Sequence, residues 1–293
     1  MVGVLLPSIE MENRKMSVLP AIIIPAYNER SVIARTLKPL YRGIKEGKYS
    51  ITVAVNGSND GSVDFIRNEF PAVCCLDIEL GSKTNAINVA EKSNVGFPRI
   101  YMDADVVVNY DGLLSLINTL ESSVSPLLVS PKAIMEFSSS SIFVKAFYRA
   151  WFKTKFYSSQ GFGSGVYGLN KQARACFKFF PDVIADDGFI REVVPVSKQQ
   201  VDTNCTSMVT APKKIGDLIK IKTRSKLGNI ELKNKSLVIN KNLPSKRFVS
   251  MPTFFEFMVY GLVNLIATKL ANKKYKSLER YQWQKDESSR NVE

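Results

Sequence analysis

The stretch Ile100-Tyr-Met-Asp103-Ala-Asp105-Val-Val-Val108 decides the fold. It sets two carboxylates one residue apart at the end of an apolar run, and in a strand residues i and i+2 share a face. The pattern predicts a central strand over residues 99–103. Asp103 and Asp105 then point the same way from its carboxyl end, the edge where open α/β sheets hold their ligands. Carboxylates that close repel unless a cation lies between them, and an all-oxygen ligand set favours Mg2+ or Mn2+. Asp-x-Asp also occurs in ordinary turns, so the rest of the chain has to decide between the two readings.

Working outward, residues 18–24, 51–55 and 73–78 are further apolar runs of the kind buried parallel strands show. Each is followed by polar loop residues and then a helical pattern. The helices begin near Ser31, which would cap the first, near Ser62, and at Gly81-Ser-Lys-Thr-Asn-Ala86. Alternation this regular predicts an α/β domain with a mixed, mainly parallel sheet flanked by helices, its polar loops gathered at one sheet edge.

Composition agrees with one large α/β domain. The chain has 293 residues, 45% of them hydrophobic, enough to bury a full core. Cys74, Cys75, Cys176 and Cys205 show no paired zinc spacing and two are adjacent, so reduced thiols in a cytoplasmic protein are expected. Residues 1–16 lack the pattern of an export signal. The absence of histidine excludes Ser-His and Cys-His nucleophile systems and histidine metal ligands, and leaves carboxylate, lysine or tyrosine as general base. The net charge of +13 is concentrated: residues 213–247 hold eleven Lys or Arg against Asp217 and Glu231. That placement points to the phosphates of a nucleotide or of anionic lipid rather than to nucleic acid, with a merely solvated basic face as the bland alternative.

The motifs Ile22-Ile-Ile-Pro-Ala-Tyr-Asn-Glu29, Val55-Asn-Gly-Ser-Asn-Asp-Gly61 and Met102-Asp-Ala-Asp105, in this order and spacing, resemble the donor half of family 2 inverting glycosyltransferases with the GT-A fold. Gly161-Phe-Gly-Ser-Gly165-Val-Tyr-Gly168 is similar to the family's glycine-rich acceptor segment, and Ile184-Ala-Asp186-Asp187 to its Glu-Asp motif, whose second acid is the base. Lys222-Thr-Arg224-Ser-Lys-Leu-Gly-Asn229 resembles the basic segment that often follows. Val55 and Asn56 stand where the family commonly has two acids, and Asp186 is one methylene short of the usual Glu. The resemblance implies a nucleotide-sugar donor, UDP- or GDP-linked, Mn2+ or Mg2+ as cofactor, and a glycan or lipid-linked acceptor.

The roles follow from chemistry. A nucleoside diphosphate gains negative charge as the glycosidic bond breaks, which a metal on Asp105, with Asp103 beside it, would neutralise. Pro25, Ala26, Tyr27, Glu29, Asn56 and Asp60 sit on strand-end loops where base and sugar edges are met, with Asp103 near the ribose. Lys83 at a helix start suits a phosphate, against the alternative of an ordinary surface lysine. Asp187 is the candidate base and Asp186 an acceptor contact, behind an apolar turn that would desolvate the pair; both would also serve as helix caps. Gly163, Ser164 and Gly165 would let backbone approach the acceptor sugar. Trp151, Phe152, Phe156 and Tyr157 read as core or acceptor wall.

The expected organisation is an N-terminal tail at 1–16, a catalytic domain at 17–212 with donor half 17–110 and acceptor half 111–212, a basic extension at 213–250, and a C-terminal interfacial helix and tail at 251–293. An apolar helix over 254–267 would be about 21 Å long, too short for a bilayer core of about 30 Å. With Lys269, Lys273, Lys274 and Lys276 after it, it should lie on an anionic membrane surface, or pack on the domain or on a second copy in a homo-oligomer. The expected function is metal-dependent inverting sugar transfer to a hydroxyl in polysaccharide or glycolipid synthesis. A non-catalytic nucleotide-sugar or glycan binder is the rival. A sugar-phosphate nucleotidyltransferase needs a glycine- and arginine-containing loop after the first strand, where this chain has Pro25-Ala-Tyr-Asn-Glu29.

Overall fold

Strand β1 (Ala21–Ala26) is buried along its whole length because both of its faces are covered. Ile22, Ile24 and Ala26 belong to one core cluster and Ile23 to the other, which is why the sequence here is a continuous apolar run rather than an alternation. The computed structural model describes residues 19–94, 96–160, 164–239 and 247–277. After β1 come the short helices α1 (Ile33–Leu37) and α2 (Tyr41–Lys45), joined by a 3-10 turn. Val32 rather than Ser31 occupies the cap position of α1 and gives no side-chain cap, so the expected serine cap is not made.

The chain then alternates through β2 (Ser50–Asn56), α3 (Ser62–Glu69), β3 (Cys74–Ile78), α4 (Lys83–Ser93), β4 (Arg99–Met102), β5 (Val107–Val108) and α5 (Tyr110–Glu121). It continues with β6 (Leu128–Glu136), α6 (Ile142–Phe152), α7 (Lys155–Gln160), β7 (Val166–Leu169), α8 (Lys171–Arg174), α9 (Asp186–Val193), β8 (Gln199–Thr210), α10 (Ile215–Asn234) and α11 (Phe254–Lys276).

These strands form one eight-stranded sheet in the order β3-β2-β1-β4-β7-β6-β8-β5. The first four are parallel, β7 runs antiparallel between β4 and β6, and β6 pairs parallel with β8. Residues 17–110 and 111–212, expected as two halves, therefore contribute to one sheet, joined at the β4–β7 pair. Residue Gly168 of β7 packs its backbone on α5: an added Cβ would meet Leu120 at 2.4 Å, so this glycine serves helix–sheet packing rather than sugar approach.

A third cluster, in which α6 supplies Val144, Phe147 and Trp151, α10 Leu218, and α11 Val259 and Val263, lies apart from the sheet cores. Helix α11 runs 23 residues rather than the fourteen expected, started by a capping box between Thr253 and Glu256. At about 1.5 Å per residue it is about 35 Å long. It is the one helix among the described residues long and apolar enough to cross a membrane by length and composition, so shortness does not bar a span.

Candidate active site

Strand β4 ends at Met102, and Asp103-Ala-Asp105 is a turn rather than the strand continuation expected from the i, i+2 spacing. The chain leaves the sheet because its carbonyls are claimed from below. Thr36 Oγ1 donates to Ala104 O at 2.8 Å and Arg35 Nη2 to Asp105 O at 3.1 Å, both from α1. From the other side Asp103 N donates to Gly165 O at 2.8 Å. Gly165 has φ +63° and approaches so closely that a Cβ would lie 2.6 Å from Val106 Cγ2 and 3.0 Å from Asp103 Oδ2. This glycine is fixed by its conformation and by Asp103 together.

Lys83 is the first residue of α4, whose cap is Ser82. Its ammonium lies 2.7 Å from Asp103 and 2.8 Å from Asp186, so it bridges the two acid pairs rather than standing ready for a phosphate alone. Burial works against the lysine charge, but the two carboxylates outweigh it and hold Lys83 above its usual range. Asp186 is buried and also accepts a bond from Tyr167 OH at 2.9 Å. Desolvation pushes its carboxyl above the ordinary range, Lys83 opposes this, and the charges of Asp187 and Asp103 add to it. Burial, followed by the charge of Asp186, raises Tyr167 as well, which keeps its hydroxyl a donor.

Asp187 lies differently. Its side chain is 52% exposed and lines the cleft, with Arg191 Nη2 3.6 Å away one turn along α9. The apolar turn before α9 thus encloses Asp186, not Asp187. Neither acid caps the helix, since Ala185 is the cap residue and both lie in the first turn, where their charge suits the helix dipole.

These groups line a cleft of about 340 Å³. Pro25 and Glu29 reach it from the first donor loop; Ala26 is buried behind them and accepts from Asn56 Nδ2 at 2.9 Å. Asn56 is itself fully buried and ties the ends of β1 and β2 together, so it does not present its amide to a base as expected. Asp60 accepts from the backbone N–H groups of Arg30 and Ser62 at 3.0 Å each, which joins the two donor loops instead of offering a carboxylate to sugar or base. Tyr27 is half-buried on the first of these loops. Ser164 is buried at the cleft wall with its hydroxyl donating to Val166 O, while Gly161, Phe162 and Gly163 lie outside the described residues.

The far wall is α10, which presents Ile221, Lys222, Arg224, Ser225 and Asn229 to the cleft. The Lys222 ammonium sits 5.2 to 5.6 Å over the rings of Phe147, Tyr148 and Trp151, so the aromatic cluster of α6 is wall and core at once. Arg191 is absent from the sequence expectations though legible as the i+4 neighbour of Asp187, whereas Tyr167 of the glycine-rich segment, an aromatic suited to a sugar face, instead donates to Asp186, nineteen residues away, a contact with no local signal.

Among the described residues no group of three or more His, Cys, Asp or Glu is arranged to hold a metal by itself. Asp105, half-buried in the cleft wall, has no hydrogen-bond or ion-pair partner for its carboxylate among those residues, while Asp103 is matched by Lys83. One open carboxylate and one shared one fit a Mg2+ or Mn2+ that takes its remaining oxygens from substrate phosphates and water, the usual arrangement for these ions.

Residues 21–132 match the family described as glycosyl transferase family 2. The matched segment runs from β1 through the Asp103-Ala-Asp105 turn into β6. The chain has the GT-A fold, and its residues 21–132 carry a glycosyl transferase family 2 segment. Solved structures of the same fold include the mannosyltransferase PcManGT from Pyrobaculum calidifontis in complex with GDP-Man and Mn2+, at 17% identity and a TM-score of 0.57, covering 89% of this chain and 76% of that one. S. aureus TarS in complex with UDP-GlcNAc shares 13% identity at a TM-score of 0.50, covering 90% and 76%. Glucosyl-3-phosphoglycerate synthase from Mycobacterium tuberculosis, in complex with Mn2+ and UDP, shares 15% at 0.51, covering 76% and 81%. No curated protein sequence matches the chain. The matched segment and the fold together support a glycosyltransferase enzyme.

Proposed function

We propose that this glycosyltransferase moves a sugar from a UDP- or GDP-linked donor to an acceptor hydroxyl with inversion, and that it depends on Mn2+ or Mg2+. The observation that carries the reading is the asymmetry of the two acid pairs. Lys83 takes one carboxylate from each, Asp103 and Asp186, and leaves Asp105 and Asp187 facing one cleft.

In this reading Asp187 accepts the proton of the acceptor hydroxyl as its oxygen bonds to the anomeric carbon. The bond from that carbon to the donor phosphate breaks on the opposite face, and the nucleoside diphosphate leaves. Asp105 and Asp103 would hold the divalent cation, which when bound supplies Lewis-acid neutralisation of the leaving diphosphate. Pro25, Tyr27 and Glu29 border the donor, with Asn56 and Asp60 holding the loop framework. Gly165, Ser164 and Asp186 shape the acceptor side. Arg191 steers the Asp187 carboxylate from one turn away.

The four free cysteines and the basic, apolar C-terminal region support a cytoplasmic enzyme peripheral to the membrane, acting in polysaccharide or glycolipid synthesis. Asp187→Asn keeps the shape of the side chain but not its proton acceptance. Transfer should fall on the order of 10²-fold or more with donor affinity little changed. Transfer at the normal rate in that variant would move the base elsewhere, with Asp186 next in line.

A further inference from the structure

Helix α11 is turned opposite to its polarity. Its less apolar side faces protein: Glu256 is buried against Lys153 at 2.9 Å, Tyr260 stacks on Phe147 at 5.1 Å between ring centres, and Val259, Val263 and Ala267 complete the buried stripe. Its apolar side faces out, with Phe254 80% exposed and Met258, Leu262 and Leu265 exposed beyond it. Phe255 continues this surface onto α6 through Phe143, 5.9 Å away. From residue 268 the outward face becomes mainly polar, with Thr268, Lys269, Asn272, Lys273 and Lys276 all exposed and Leu270 exposed among them.

Length and packing decide how such a helix meets lipid. The outward apolar face covers residues 254–266, about 20 Å at 1.5 Å per residue, against about 30 Å of hydrocarbon. The inward face is packed on α6 and α10, and a transbilayer position would bring charged groups such as Lys153, just after α6, and Lys222 of α10 into hydrocarbon. An apolar outer face followed directly by lysines matches the boundary between acyl chains and anionic headgroups.

We propose that this face of α11, with Phe143 of α6, seats the enzyme in the plane of an anionic bilayer, and that it thereby sets the acceptor side of the cleft at headgroup level. The second part rests on the transferase reading above. Helix α10 packs on α11 with one face and lines the cleft with another, and packed helices lie about 8–10 Å apart, so the cleft wall is one helix away from the seated surface. The acceptor class that suits this geometry is an amphiphile whose saccharide or alcohol head enters the cleft while its apolar part stays in the membrane.

The test uses the full chain with vesicles of phosphatidylcholine carrying about one-third phosphatidylglycerol, whose negative surface supplies the attraction to lysine. The intact protein should co-sediment with them and release as salt rises. Phe254→Ser, Leu262→Ser and Leu265→Ser together, all at exposed positions, should abolish binding while the thermal shift with Mn2+ and UDP or GDP persists. Lys269→Gln, Lys273→Gln and Lys276→Gln should weaken binding by about fivefold per lysine. With Trp283→Phe, the fluorescence of the remaining Trp151, at the cleft wall, should be quenched by lipids spin-labelled near the headgroup. Vesicle binding without that quenching overturns the cleft placement. Failure of the intact protein to bind vesicles, or a change from dimer to monomer in the serine variant, overturns the docking surface and assigns the face to a second copy. Loss of every nucleotide shift with vesicle binding intact would instead count against the transferase reading alone.

Discussion

Replacing Lys83 by methionine keeps the length of the side chain and removes the charge that joins Asp103 to Asp186. Lys83 is 21% exposed, Asp186 4% and Asp103 40%, so only the Asp186 contact is a properly buried pair. Removing one partner of such a pair costs about 3–5 kcal/mol, and screening at the exposed Asp103 discounts its contact. A loss of about 3 kcal/mol follows at neutral pH, and at about 2–4 °C per kcal/mol for a chain of this size the melting temperature should fall by about 6–12 °C. The pH dependence fixes the cause. Asp186 is already raised by burial above its unfolded value of 3.8, so its charged form costs stability above the folded pKa, and without Lys83 it rises further. Lys83, held above its ordinary 10.5, remains charged across the working range. The deficit of Lys83→Met should therefore be greatest where Asp186 is ionised and shrink as acid protonates it. Calorimetric melting of both proteins from neutral pH to the edge of acid unfolding checks this. A deficit that stays constant with pH, or no deficit, would refute the ion-pair account.

Asp105→Asn should leave the melting temperature of the free enzyme nearly unchanged and abolish the extra stabilisation that Mn2+ gives to UDP or GDP binding; titration calorimetry with and without chelator measures it. Gly165→Ala should lower the melting temperature by roughly 2–12 °C, since an alanine at φ +63° costs about 1–3 kcal/mol and its Cβ meets Val106 and Asp103. Nucleotide affinity should fall with it, because the displaced group is the Asp103 carboxylate.

How much of this was legible depends on the range of the forces involved. The apolar runs at Ile22–Ile24 and Ile51–Val55 identified strands because burial on both faces writes itself into composition. The Asp103-Ala-Asp105 turn was misread as strand because its geometry comes from Thr36 and Arg35, roughly seventy residues away, which no window of neighbouring residues contains. Asn56 and Asp60 were assigned to a ligand on family pattern, yet each satisfies backbone groups of the other donor loop, a contact some thirty residues long. The C-terminal helix was under-read for a local reason. Its apolar pattern stops at Ala267, but the capping box Thr253-x-x-Glu256 and the buried Ala271 show that the helix continues while only its outer face changes.

In the proposed reading the division of the acid pairs lets one lysine serve both the metal and the base. In a cleft holding Asp103, Asp105, Asp186 and Asp187, four negative charges would repel both one another and a diphosphate. Lys83 binds the inner member of each pair, and the hydroxyl of Tyr167 donates to the second oxygen of Asp186. What remains open is one carboxylate beside the Gly165 turn and one on α9, borne by different elements and placed by different contacts. In the proposed reading the cation on Asp105 and the proton acceptor Asp187 have to be kept apart, because a metal that reached the base would take the electron pair meant for the acceptor proton. Lys83, standing between Asp103 and Asp186, fills the space through which the two pairs would otherwise share a cation.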